Sequence, residues 1–133
     1  MAKTITQKVV FKNTNAKELY DLYMNEKKHS ELTGGTAKIT SKIGANFSAY
    51  DNYISGKNLH LVKDTLIVQT WRGSDWKKTD EDSILILNFH QKGKDVMVKM
   101  AHVNVPTEQA KGLKKGWDDF YWEPWKNYLE IHK

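Results

Sequence analysis

The stretch TEQAKGLKKGWDDFYWEPWKNYLEI, residues 107–131, decides the fold. Ala110, Leu113, Trp117, Phe120, Tyr121, Pro124, Tyr128 and Ile131 recur at steps of three and four, which puts them on one side of a helix. Trp122, Trp125 and Leu129 widen that stripe beyond what a simple core face requires. Pro124 lacks an N–H and crowds the preceding turn, so a kink or local break is expected there. Thr107, or the turn before it, is placed to cap the start. A helix this long and this aromatic needs a broad apolar surface to lie on.

The preceding chain reads as that surface. Between residues 36 and 105, β-forming runs alternate with turn chemistry, and strands are expected at 37–42, 46–50, 53–61, 65–71, 83–90 and 95–103. Asp51-Asn52 tolerates positive φ and reads as a two-residue hairpin turn. Gln91-Lys92-Gly93-Lys94 is a second hairpin loop, and 73–82 is a longer polar loop around Trp76. Short connections between consecutive strands imply an antiparallel meander. In the last strand Val96, Val98, Met100 and His102 share one face. The strand before it is apolar on both parities, Leu85, Leu87 and Phe89 against Ile84 and Ile86. Such a strand is either covered on both faces or lends one of them to a partner.

Nearer the N-terminus, 4–11 reads as a first strand. Asn15 is placed to cap a helix, with Glu18 at the capping-box position and Ala16, Leu19, Tyr20 and Tyr23 on its apolar face. A second short helix is expected over 27–33, stopped by Gly34-Gly35. The order is strand, two short helices, meander, long helix. It gives an α+β class of the helix-grip type, a curved antiparallel sheet of about six or seven strands with the C-terminal helix laid across it. Residues 1–133 are read as a single domain.

A chain of 133 residues buries roughly two-thirds of its unfolded surface and needs no staples to hold a core. It has no cysteine, which excludes disulfides, thiol catalysis and cysteine metal sites. The N-terminus lacks a signal-peptide pattern and no apolar run approaches ~18 residues, so a soluble, cytoplasmic protein without membrane insertion is expected. The net charge is +5 and the pI about 9.3, but the basic residues are dispersed lysines and Arg72 is the only arginine. Base readout and bidentate phosphate contacts favour arginine. The lysines therefore read as a solvated surface, and no nucleic-acid partner is expected.

Nucleophile elbows, zinc-protease helices and phosphate-binding loops are absent from the sequence. His29, His60, His90, His102 and His132 are widely separated; alternation puts His102 inward and His90 on the opposite face, so no metal site and no cofactor are expected. His102 has two readings, a hydrogen-bonded core histidine or an orienting or acid–base group at a pocket floor. Trp71 either lines the pocket or covers the sheet, and Arg72 then points the other way. Most aromatics of the last helix read as core. A sharper reading makes Trp117 and Tyr121 the roof of a cavity and Trp122 or Trp125 an exposed contact patch.

Several strings resemble one family. They are Gly44-Ala45-Asn46-Phe47-Ser48-Ala49-Tyr50-Asp51-Asn52-Tyr53-Ile54-Ser55-Gly56, then Trp71-Arg72 with Trp76, then His102 to Pro106, and then Gly116-Trp117-Asp118-Asp119-Phe120-Tyr121-Trp122. In order and spacing they resemble the activator of heat shock protein 90 ATPase family, within the START-like superfamily that includes pollen allergens and polyketide cyclases. Ala45, Asn52 and Asn104 stand where that family often has glycine. The eukaryotic activator has a further N-terminal domain with no counterpart in these residues, so fold transfers more safely than function.

Three functions follow. The first is non-enzymatic binding of a small, mainly hydrophobic ligand between the helix and the sheet, at Phe47, Ile54, Trp71, Val98, Met100, His102, Trp117 and Tyr121. The second, which the resemblance implies, is a protein-interaction module acting as a chaperone partner. The third is a cyclase-like enzyme, for which His102 is the one candidate group and no catalytic set is assigned.

Overall fold

The computed structural model describes residues 2–132. Six antiparallel strands form one sheet in the order β1-β6-β5-β4-β3-β2. They are β1 (Ala2–Phe11), β2 (Asn46–Ala49), β3 (Ile54–Val62), β4 (Leu66–Gly73), β5 (Ser83–Lys92) and β6 (Asp95–Pro106). Two short helices, α1 (Ala16–Met24) and α2 (Glu26–Thr33), follow β1. After β6 come α3 (Thr107–Trp117), a five-residue π-turn (Asp118–Trp122) and α4 (Glu123–Ile131). This is the helix-grip architecture.

Local chemistry explains the early helices. The Asn15 side chain accepts from Glu18 N at 2.9 Å and starts α1. The Glu18 carboxylate accepts from the Thr14 hydroxyl at 2.6 Å rather than closing the expected capping box. Asn25 repeats the cap on Lys28 N at 3.0 Å, so α2 begins at Glu26, and Gly34 ends it in the left-handed conformation, φ 83°.

The segment 37–42 is not a strand. It touches β2 through one isolated bridge, Lys38 to Ser48. On either side of that bridge its donors are taken by α2: Ala37 N donates to Ser30 Oγ at 2.8 Å and Ile39 N to Glu26 Oε1 at 2.9 Å. The Thr40 and Lys42 carbonyls accept from Asn58 Nδ2 at 2.8 and 3.0 Å. With the backbone on either side of Lys38 held by side chains, the bridge does not extend into a ladder, and the sheet has six strands instead of seven.

The hairpin after β2 also differs from expectation. Tyr50, Asp51 and Asn52 all have positive φ, 49°, 56° and 70°. Tyr50 therefore leaves the strand, and the turn spans 50–53. Gly35 permits this, because a Cβ there would lie 2.8 Å from Tyr50 Cα. Asn52 and Asn104 (φ 63°) adopt the left-handed conformation that glycine otherwise favours.

The local break expected at Pro124 takes the form of a π-turn just before it. The helix widens one turn earlier, where Glu123 N donates to Asp118 O, five residues back. The wide turn also rotates successive aromatics inward. Tyr121, Trp122 and Trp125 are all buried, so the expected exposed patch at Trp122 or Trp125 is absent. Trp122 instead packs against Trp117, Trp125 and Phe11, and its indole donates to Gln7 Oε1 at 2.8 Å.

Candidate functional site

A cleft of about 350 Å³ opens where α3 leaves the sheet. Ile54 and Trp71 form its sheet wall, Tyr50 and Tyr53 come from the strained turn, and Thr33 from the end of α2. Gln109, Gly112, Leu113, Gly116 and Trp117 of α3, with Phe120 and Tyr121 of the π-turn, form the roof. None of these side chains is charged, and aromatic rings supply half of them.

Two glycines help make the space. Gly112 and Gly116 are four apart on α3, and a Cβ at either would meet nothing within 4 Å. Glycine inside a helix costs ~1 kcal/mol each relative to alanine, so here helix stability is lost while volume is gained. At the mouth, Tyr50 and Phe120 meet edge to face at 5.1 Å and are 39% and 40% exposed. They are apolar surface at the rim of an apolar cleft.

Polar groups around the cleft are held in place. The Tyr121 hydroxyl and His29 Nε2 are 2.9 Å apart, and His29 Nδ1 is 2.8 Å from the Tyr23 carbonyl. A carbonyl only accepts, so Nδ1 carries the proton and Nε2 accepts from Tyr121. Burial lowers the His29 pKa to about 4 and raises the Tyr121 phenol. Tyr53 donates to Asp75 at 2.7 Å; burial first, then that carboxylate, raises its pKa to about 12. The Trp71 indole N–H is buried without an acceptor among the described residues.

The residues proposed from sequence divide into two groups. Ile54, Trp71, Trp117 and Tyr121 meet at the cleft. Phe47, Val98, Met100 and His102 do not line it. They are buried in the core, where the facing strands and the aromatic helix close over them. His102 is fully enclosed. Ser83 Oγ donates to the Trp71 carbonyl at 2.7 Å, so His102 Nε2–H donates to Ser83 Oγ, also at 2.7 Å. The Trp117 indole donates to His102 Nδ1 at 3.2 Å. With both nitrogens engaged and burial lowering its pKa to about 3, His102 is a neutral strut between the sheet and α3. It has the core-histidine geometry rather than the pocket-floor one.

Sequence reading missed Thr33, Tyr50, Tyr53, Gln109, Gly112, Leu113, Gly116 and Phe120 as lining residues. Leu113 and Phe120 were on the helix stripe but taken as core. The i, i+4 glycine pair was the available signal for the cleft. The contribution of Tyr50 depends on its left-handed backbone, which periodicity does not reveal. A second buried network was also missed, running from Tyr23 Oη to Gln69 Oε1 (2.8 Å) and from Gln69 Nε2 to Asn58 Oδ1 (2.9 Å). Among the described residues no group of three or more histidine, cysteine or acidic side chains is arranged to hold a metal ion, and no helix is long and apolar enough to cross a membrane.

The fold has counterparts in known proteins. An HSP90 activator from Plasmodium falciparum superposes with a TM-score of 0.88 at 20% identity, over 96% of each chain. The Aha1 dimer from Colwellia psychrerythraea gives 0.82 at 12% identity, over 98% of each chain. In sequence, the activator of 90 kDa heat shock protein ATPase homolog of Dictyostelium discoideum is 30% identical over 101 residues, 75% of this chain. The chain spans 26% of that relative's length. The family model described as "Activator of Hsp90 ATPase homolog 1-like protein" matches residues 13–130, and the chain belongs to that family.

Proposed function

We propose that this chain binds a small, uncharged, mainly apolar ligand in the cleft beneath α3. The observation that carries this reading is a 350 Å³ cavity without a charged lining residue, walled by aromatic side chains. Its size is within the range of small-molecule sites, and such sites are mainly apolar with a few placed polar groups. Gly112 and Gly116 support the same reading, because alanine at either position would favour the helix and fit without a clash. The test is native mass spectrometry of the purified protein, followed by thermal unfolding with uncharged aromatic and aliphatic probes. A bound ligand at a hundredfold excess over Kd adds about 2.7 kcal/mol, which moves Tm by roughly 10 °C for a chain of this length. No co-purified mass and no shift with any probe would overturn the reading.

Family membership favours a second reading, a protein-interaction role as a partner of a 90-kDa heat shock protein. The matched relative is much longer than this chain, so its activity as a whole protein is not carried over. Measuring the ATPase rate of such a chaperone with and without the chain tests it; an unchanged rate and no co-elution would count against it.

A further inference from the structure

The face of the sheet opposite the cleft is built separately from it. Strand register places its residues in rows. Val68 pairs with Ile86 and Ile86 with Ala101; Ile84 pairs with Val103. All five alternate with buried inward residues and are only partly covered. No described helix packs on this side, so an aliphatic patch faces outward across β4, β5 and β6.

Its strands carry an excess of positive charge. The strands contain Lys3, Lys8, Lys57, Arg72, Lys92 and Lys99 against a single carboxylate, Asp95, which pairs with Lys12 at 3.5 Å. The other acidic residues lie in helices, turns and loops. Lys8 and Lys99 are direct cross-strand partners, both exposed and neither in an ion pair among the described residues. They sit one row from Ala101 and Ile86. Like charges directly opposite each other on a sheet destabilise it, so the pair is costly in the isolated chain. An acidic partner would relieve that repulsion.

We propose that this outer sheet face docks a protein segment bearing aliphatic and acidic side chains, with the aliphatic groups on Val68, Ile86 and Val103 and the carboxylates reaching Lys8 and Lys99. A nucleic acid fits less well. The only arginine is engaged by the Asp80 and Lys77 carbonyls and the Asp82 carboxylate, and an aliphatic centre offers a phosphate backbone nothing. A membrane fits less well too, since the patch has no tryptophan or tyrosine to anchor at a lipid interface.

The experiment titrates the isotope-labelled full chain with two synthetic peptides of equal length, one alternating leucine with glutamate and the other leucine with lysine, at low and high salt. Saturable amide shifts at Val68, Ile86, Ala101 and Val103 are expected with the glutamate peptide alone, weakening at high salt. The Lys8→Gln/Lys99→Gln variant should lose about tenfold in affinity, with Tm unchanged or raised because the repulsion between the two lysines is removed from the free chain. Ile86→Ser should weaken binding while the amide spectrum stays folded; if it unfolds, the charge variant carries the test. Four results would overturn the proposal: no shift on this face, equal binding of both peptides, a dimer that buries this face, or pelleting with phosphatidylserine vesicles without peptide binding. Cleft binding of an apolar probe by the charge variant is expected to be unchanged, so failure here leaves the cleft reading intact.

Discussion

His29 and His102 are both held neutral by burial, and this gives the fold a pH dependence with a defined sign. Above the ordinary histidine value of 6.5 both rings are neutral in the folded and unfolded chain. Below it the unfolded chain takes up protons that the folded chain refuses until about pH 4 at His29 and about pH 3 at His102. Stability is therefore full at neutral pH and falls as the pH drops from 6.5 towards 3. Near pH 5 these two groups contribute a slope of up to about 2.7 kcal/mol per pH unit, measurable by urea unfolding across pH. In His29→Gln the slope should fall by about half, whatever happens to absolute stability. Asn58→Ala strands Gln69 Nε2 and the Thr40 and Lys42 carbonyls, and should cost about 3 kcal/mol in the same assay. The inward parity of His102 was legible from its neighbours Val98 and Met100, but its hydrogen bonds were not. They come from Ser83 and Trp117, which only the folded sheet brings to it. Asn58 and Gln69 were illegible for a related reason: a polar residue in a strand reads as outward until its buried partner is known.

Among the elements, the C-terminal helix was the most legible and the most instructive. Its apolar stripe predicted the burial of Ala110, Trp117 and Tyr121 but also included Phe120 and Ile131, which are exposed, and Pro124 announced a disturbance. The form of that disturbance, a π-turn placing Tyr121 and Trp122 both inward, is not encoded in a 3.6-residue period. The surplus aromatics thus become core instead of an external patch. Segment 37–42 shows the opposite failure: its β-forming residues suit a strand, but Ser30 and Glu26 bind its donors first. Gly116→Ala fills open space on α3 and should stabilise the protein by about 0.8–1.0 kcal/mol in thermal or urea unfolding. A loss of stability would mean that the roof of the cleft is closed at that position. Gly116→Leu extends further into the same space and should abolish ligand binding with the fold retained.

At the scale of the whole molecule, a net charge of +5 looked like dispersed solubilising lysine along the sequence. Folding segregates it, because the strands carry almost no carboxylates and the helices and loops carry nearly all of them. The architecture was readable from element order, since a meander between early helices and one long aromatic helix leaves few other ways to bury both surfaces. The cleft was half readable, through Ile54, Trp71, Trp117 and Tyr121, because those residues belong to regular elements whose faces follow from periodicity. Its other side is built by a left-handed tyrosine and two helix glycines, which depend on backbone geometry and on missing side chains. The central claim, an apolar ligand site beneath α3, is tested most directly by titrating the protein and its Gly116→Leu variant with the uncharged fluorophore N-phenyl-1-naphthylamine. Saturable one-site binding to the unaltered chain is expected, with quenching of Trp71 and Trp117 emission, and none to the folded variant. Absence of saturable binding, or equal binding by both proteins, would contradict it.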